Sequence, residues 1–229
     1  MHQNPVFRGT AEAANIAFAR ERAFGVLTAA TAEGPLLAHV PFVLNEAGDA
    51  LECHLMRSNP LARALGQGVV LGSVCLAVSG PDAYVSPDWY EIGLDQVPTW
   101  NYVAVHLSGR VELLPETALR PHLDAVSAHM EGQLAALPPH KTPWRVDKMP
   151  AEAYARLARQ LVPVRLTIET VASTWKLNQN KPVEAQARAA EAISATAGHT
   201  DAGAYALGQS AEQIADLMRR AVDGRTPGG

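Results

Sequence analysis

Three short polar clusters in this sequence carry residue types suited to a charged, flat molecule. The first, His54-Leu-Met-Arg57-Ser58-Asn59, closes an alternating apolar run and leads into Asn59-Pro60, a pairing that suits the cap and first turn of a helix. An arginine, a serine hydroxyl and free backbone amides at such a junction form a cradle for phosphate. The plainer reading is an N-cap at Ser58 or Asn59 beside a surface arginine. In the second cluster, Pro98-Thr99-Trp100-Asn101-Tyr102, an extended strand places Trp100 and Tyr102 on one face and Asn101 on the other. Indoles line sites for planar ligands, and more often they simply pack in a core. The third, Trp175-Lys176-Leu177-Asn178-Gln179-Asn180-Lys181, offers donors at nearly every position. An exposed loop gives the same pattern as a reader of a phosphate or a ring edge. Together the three point to an anionic, aromatic ligand.

Other chemistries lose weight. The sequence has no Gly-x-x-x-x-Gly-Lys-Ser/Thr, no Gly-x-Gly-x-x-Gly opening a helix, no Gly-x-Ser-x-Gly, no Cys-x-x-Cys and no His-Glu-x-x-His. His122 and His129 share a helical face, but no carboxylate or cysteine at ligand spacing supports a metal, and none is expected.

The elements that must position these clusters are mostly strands. Thr10 followed by Ala11-Glu12-Ala13-Ala14 opens a helix to about Glu21, expected to pack its Ile16/Ala17/Arg20 side. Apolar runs at 24–31, 36–44 and 50–56, separated by glycine-containing turns, read as a meander, and Leu51, Cys53 and Leu55 alternate with Glu52, His54 and Met56. A short helix from Pro60 ends at Gly66 and Gly68. Val69–Val78, Tyr84–Ser86 and Trp100–Leu114 are further strands, the first two divided by Ser79-Gly80-Pro81-Asp82. Helical patterning follows at 116–130 and 151–161, then closing strands at Val164–Ile168 and Ser173–Leu177. So many short strands predict an antiparallel barrel or sandwich rather than a parallel sheet. After Pro182 the composition turns alanine-rich, and Ser210-Ala-Glu-Gln predicts a capping box at the start of an amphipathic helix. The division expected is a domain over 1–181 and a helical appendage over 182–229.

Composition agrees with this scale. The chain has 229 residues, 48% apolar and 18% charged, enough for a core of ordinary size. With 19 Lys+Arg against 23 Asp+Glu, its formal charge of −4 argues against a strong nucleic-acid surface. Two cysteines in apolar segments exclude a disulfide framework, and with no signal pattern and no long apolar run the expected location is cytoplasmic, without a membrane span.

At the polar clusters the sequence resembles the PaiB-type FMN-binding negative transcriptional regulators. The resemblance lies in Gly80-Pro-Asp-Ala-Tyr-Val-Ser-Pro-Asp-Trp-Tyr90, Val97-Pro-Thr-Trp-Asn-Tyr-Val-Ala-Val-His106, Trp175-Lys-Leu-Asn-Gln-Asn-Lys181 and His54-Leu-Met-Arg-Ser-Asn-Pro60, in order from the N-terminus to about Ile193. It implies a mainly β fold with peripheral helices, the six-stranded antiparallel Greek-key split barrel similar to pyridoxamine 5′-phosphate oxidase, with FMN at a homodimer interface. It places His39 and the stretch His54, Leu55, Met56, Arg57, Ser58 and Asn59 along the flavin phosphate and ribityl chain, with Arg63 adding charge. Thr99, Trp100 and Asn101 would approach the ring from the partner subunit, and Lys176, Asn178 and Gln179 would close the site. Where related oxidases carry a second basic residue after the second strand, this chain has Leu44-Asn45, which implies a weaker phosphate grip.

The function implied is FMN binding in a homodimer, with flavin-dependent oxidoreductase chemistry on an unknown small molecule as one form of it. No residue is assigned a catalytic role. A transcriptional regulator acting directly or through a partner is the alternative, although no helix-turn-helix pattern is present and direct DNA contact is not expected. A haem-binding split barrel is a further alternative, for which no histidine is placed as an axial ligand.

Overall fold

A computed structural model describes residues 1–69, 71–196 and 210–224. Six strands, β1 (Phe24–Thr31), β2 (Gly34–Leu44), β3 (Ala50–Met56), β4 (Val74–Val85), β5 (Thr99–Leu113) and β6 (Leu161–Lys176), close a barrel in the order β1-β2-β3-β6-β5-β4. The chain leaves the β1-β2-β3 meander and returns to it through β4 beside β1 and β6 beside β3, both antiparallel, which is the Greek-key split barrel. Six α-helices accompany it among the described residues: α1 (Glu12–Arg22), α2 (Pro60–Gly66), α3 (Leu119–Ala135), α4 (Ala151–Ala158), α5 (Val183–Thr196) and α6 (Ala211–Val222).

Local chemistry explains the strand ends. The β1–β2 hairpin turns where Thr31 Oγ1 donates to the Gly34 carbonyl at 2.6 Å and accepts from the Glu33 amide at 3.2 Å, with Gly34 at φ 124°, a value that excludes most side chains. On β3, Leu51, Cys53 and Leu55 are buried while Glu52 and His54 are half-buried and Met56 is exposed, as the alternation predicts. Gly109 lets β5 close on β6, since a Cβ there would lie 1.9 Å from the Thr167 carbonyl oxygen.

Two pairs of predicted strands are single strands. β4 runs through Gly80-Pro81-Asp82 without turning. Gly80 there meets the Phe18 ring, which a Cβ would approach to 2.6 Å, so the glycine serves close packing rather than a turn. β6 likewise continues through the exposed residues between Ile168 and Ser173. β4 also starts later than expected, at Val74, with Val69 exposed and Val70 outside the described residues. α1 buries Asn15 and Ala19 rather than the Ile16/Ala17/Arg20 side, because Asn15 Oδ1 accepts from Trp175 Nε1 at 2.8 Å. The segment 151–161 is helical only to Ala158 before β6 begins.

The chain divides into two compact units. The first takes Met1–Arg22, Val78–His106 and the residues from Val171 onward; the second takes Ala23–Ala77 and Leu107–Thr170. In the first unit, Ala185, Ala189, Ala190 and Ile193 of α5 and Ile214, Ala215 and Met218 of α6 share one buried cluster with Val85, Tyr90, Val103, Trp175 and Leu177. The alanines of α5 let the helices approach closely. The expected capping box does not form. Ser210 makes no cap hydrogen bond; Glu212, in the first turn, accepts from Ser194 Oγ of α5 at 2.5 Å. The remainder of the alanine-rich segment, 197–209 and 225–229, lies outside the described residues.

Candidate functional site

The polar clusters fall at strand ends in both units. In the second unit, β3 runs into α2 through Arg57, Ser58 and Asn59. Asn59 caps α2: its Oδ1 accepts from the Leu61 amide at 2.8 Å, with Pro60 in the first turn. Arg57 donates from Nε to the Arg159 carbonyl at 3.2 Å and from Nη2 to the Leu161 carbonyl at 3.2 Å and Glu116 at 3.1 Å. Its own amide reaches the Gln160 carbonyl at 2.7 Å. The guanidinium therefore clasps the end of β3 to the α4–β6 turn. Leu55 is buried in the core, whereas Met56, Ser58 and Arg63 are exposed. His39, also exposed, stacks on Phe24 with ring centroids 6.4 Å apart.

His54 points elsewhere than its sequence neighbours suggest. Its Nδ1 lies 2.9 Å from Nε2 of His122 on α3, a contact in which one ring must donate and the other accept. His122 is buried and its Nδ1 has no partner. Burial, and then the nearby His54 charge, pushes the His122 pKa down to about 4; burial alone lowers that of His54. Both imidazoles are thus neutral near pH 7. Beside them on β3, Glu52 pairs with Arg165 at 2.7 Å.

In the first unit, the start of β5 and the end of β6 bring three predicted residues together. Lys176 Nζ donates to Thr99 Oγ1; Trp100, next along β5 and so on its other face, is 43% exposed and edge-on to Tyr84 at 6.2 Å. Asn101 faces inward, fully buried; its amide nitrogen donates to Met218 Sδ of α6 at 3.2 Å, and its Oδ1 has no partner. After β6 the backbone turns through Asn178 in the left-handed region, φ 65°. Asn178 Oδ1 accepts from the Tyr90 hydroxyl at 3.3 Å, and its Nδ2 is buried without a partner. Gln179 folds back on the strand, accepting from the Leu177 amide at 2.8 Å and donating to the Trp175 carbonyl at 2.6 Å. Trp175 itself is core, edge-on to Phe18.

Sequence reasoning missed Lys181, whose Nζ donates to Gln96 Oε1 and sits 4.9 Å from the Tyr90 ring centroid. It also missed His122 as the partner of His54. Lys181 lay within a phrase already singled out, so its type and position were available; the His54–His122 contact spans 68 residues and left no local signal. Among the described residues no group of three or more His, Cys, Asp and Glu could hold a metal ion, and no helix is long and apolar enough to cross a membrane.

Over residues 1–170 the sequence matches the family described as "Putative FMN-binding domain". It is also 26% identical over 166 residues to protease synthase and sporulation protein PAI 2 of Bacillus subtilis, a match covering 72% of this chain and 75% of that protein. The chain belongs to this PaiB-type FMN-binding family. Its cofactor is a flavin, FMN. The FMN-binding match takes in the β3–α2 junction and the start of β5 and stops before Lys176. Among solved structures, the flavocytochrome Anf3 of Azotobacter vinelandii is similar with a TM-score of 0.52 at 16% identity, over 76% of this chain and 72% of that one. An FAD and haem binding protein of Mycobacterium smegmatis gives 0.51 at 16% identity, over 74% and 73%. Both share the barrel fold of the FMN-binding family.

Proposed function

We propose that the protein is a homodimeric flavoprotein that binds FMN with Thr99, Trp100, Lys176 and Gln179 around the ring system, and that it acts as a flavin-dependent oxidoreductase in the cytoplasm. The observation that carries this reading is the junction of β5 and β6, where a half-buried lysine donates to the Thr99 hydroxyl, with the exposed Trp100 indole on the other face of β5. The polar edge of a flat, electron-poor ring suits those donors. The buried, unpartnered Asn101 Oδ1 and Asn178 Nδ2 add an acceptor and a donor in the same unit. The exposed apolar side chains of Ile92, Leu94 and Val97, next to Trp100, support a second copy as the cover for that face.

Bound FMN supplies hydride and single-electron transfer. The chain's residues bind, orient and exclude water. Burial and the positive N-terminus lower the pKa of His106, so it is neutral at pH 7 and no proton donor is assigned. The substrate belongs to the class of small molecules that a flavin can reduce.

The second reading, a regulator, is favoured by the family resemblance and would work through a protein partner. The last-turn arginines of α6, Arg219 and Arg220, pair with Glu212 and Asp216, so that helix offers no unopposed basic face to DNA. Gel-shift titrations at two salt concentrations separate the alternatives, since direct DNA contact requires affinity that falls steeply with salt. Haem binding would need a free axial imidazole, and the half-buried His54 and buried His122 are bonded to one another. Size-exclusion mass measurement with FMN titration tests the main reading: a dimer that binds FMN supports it, and a monomer that binds FMN equally well removes the shared interface.

A further inference from the structure

We propose that the His54–His122 contact is a proton-operated catch between α3 and the barrel, one that frees α3 in acid while the strands it rests on stay folded. The reason lies in how little else holds the helix. α3 spans 17 residues, yet Leu119 and His122, both in its first turn, are its only buried side chains. Leu123, Val126 and Met130 are no more than half-buried, and Leu134 is exposed. His122 reaches β3, where its Nε2 lies 2.9 Å from His54 Nδ1 and the two rings are inclined at 63°. A single hydrogen fits on that line, so one ring must offer a lone pair. The other nitrogen of His122, Nδ1, is buried without a partner. A proton added to His122 therefore leaves a charged ring with a buried N–H that has no acceptor, and a further proton on His54 sets two N–H groups face to face.

Among the described residues no carboxylate bonds to either imidazole. Glu52, on the same face of β3, favours a charge on His122, but its carboxylate pairs with Arg165 of β6, which also feels Glu112 of β5. On and beside α3, Asp124 and Asp147 both bind Arg120, Glu116 pairs with Arg57, Glu131 pairs with Lys141, and Lys148 donates to the Pro143 carbonyl. His129 contacts Gln133, His39 of β2 stacks on Phe24, and burial keeps the Cys53 thiol, on the core face, neutral. In water a released His122 regains its ordinary 6.5, whereas in place burial and then the His54 charge hold it down to about 4. The released form thus binds more protons between those values, and each pH unit below about 6.5 favours release about tenfold until pH nears about 4. His54, lowered by burial, acts in the same sense. β3 itself does not depend on α3, since Leu51, Cys53 and Leu55 face the core and its ladders run to β2 and β6. A freed α3 frays, because isolated helices of this length are marginal in water. Glu116, three residues before α3, is its tie to Arg57, so release also loosens the β3–α2 junction.

Amide hydrogen exchange tests the catch, followed by mass spectrometry on the full-length protein and corrected for the intrinsic pH dependence of exchange. Between about pH 7 and about pH 5, protection of residues 123–135 should fall about 20-fold, while peptides from β3 and β6 keep theirs. His122→Gln removes the titrating ring and should hold α3 protection level across that range. His122→Leu, which fills the site without a polar atom, should do the same. Protection of α3 that does not change with pH overturns the proposal. So does loss of protection in α3 and the strands together, or an undiminished acid response in both variants. If neither variant folds, the order of loss in the unaltered protein decides: α3 ahead of the strands supports the catch, and α3 with or after them overturns it.

Discussion

The two strand-end clusters use their cations in opposite ways. In the second unit, Arg57 is engaged by the chain itself, with two backbone carbonyls and Glu116 around its guanidinium. In the first unit, Lys176 and Lys181 donate to the neutral oxygens of Thr99 and Gln96. Arginine's rigid fork suits the clasp, because it can satisfy several carbonyls at once, whereas lysine's point charge on a flexible stem suits a group that comes and goes. Where the fold supplies the acceptors, as around Arg57, a cation in a polar motif is a structural tie.

The contrast can be broken at its foundations first. Trp175→Ala removes a core indole and leaves Asn15 Oδ1 without its donor, so chemical denaturation should show a loss of about 3–5 kcal/mol. Flavin binding should fall with it, because Lys176 follows directly on the strand. The second unit has a different weak point. The folded-state pKa of His122 lies near 4, below its ordinary 6.5, so the unfolded chain binds more protons between those values. Stability contributed by the neutral imidazole is therefore full above about pH 6.5 and is lost as pH falls toward 4, by up to roughly 3 kcal/mol. Denaturation midpoints measured across that range should fall steeply, and His122→Gln should flatten the slope.

Smaller effects sharpen the comparison between the cations. Lys176→Ala should weaken FMN by roughly 1.5–3 kcal/mol in a binding titration while changing the melting temperature little. Arg57→Ala should do the reverse. Its exposed ion pair and carbonyl contacts are together worth about 1 kcal/mol of stability, and the change should appear in denaturation midpoints rather than in flavin affinity.

Much of the scaffold was legible. The alternation of Leu51, Cys53 and Leu55, the Asn59-Pro60 start of α2 and the split of Trp100 and Tyr102 from Asn101 follow from local rules, and the structure has all three. The strand count was harder. Gly80-Pro81-Asp82 is turn chemistry, yet Phe18 and Val103 pack so closely on Gly80 that the chain stays extended. Long-range pairings were beyond reach of local rules, since nothing near His54 signals His122, and nothing near Arg57 signals the carbonyls of Arg159 and Leu161. The Lys176 cluster was visible as a phrase but not as a geometry; only folding brings Thr99 and Gln96 to the lysines.

The absorption spectrum of the purified protein, taken with extraction of whatever is bound and followed by titration with FMN, tests the central claim most directly. A flavin band near about 450 nm, with FMN released on denaturation or taken up saturably at one per chain, is the expected result. No flavin in the extract and no saturable change on adding FMN would contradict it.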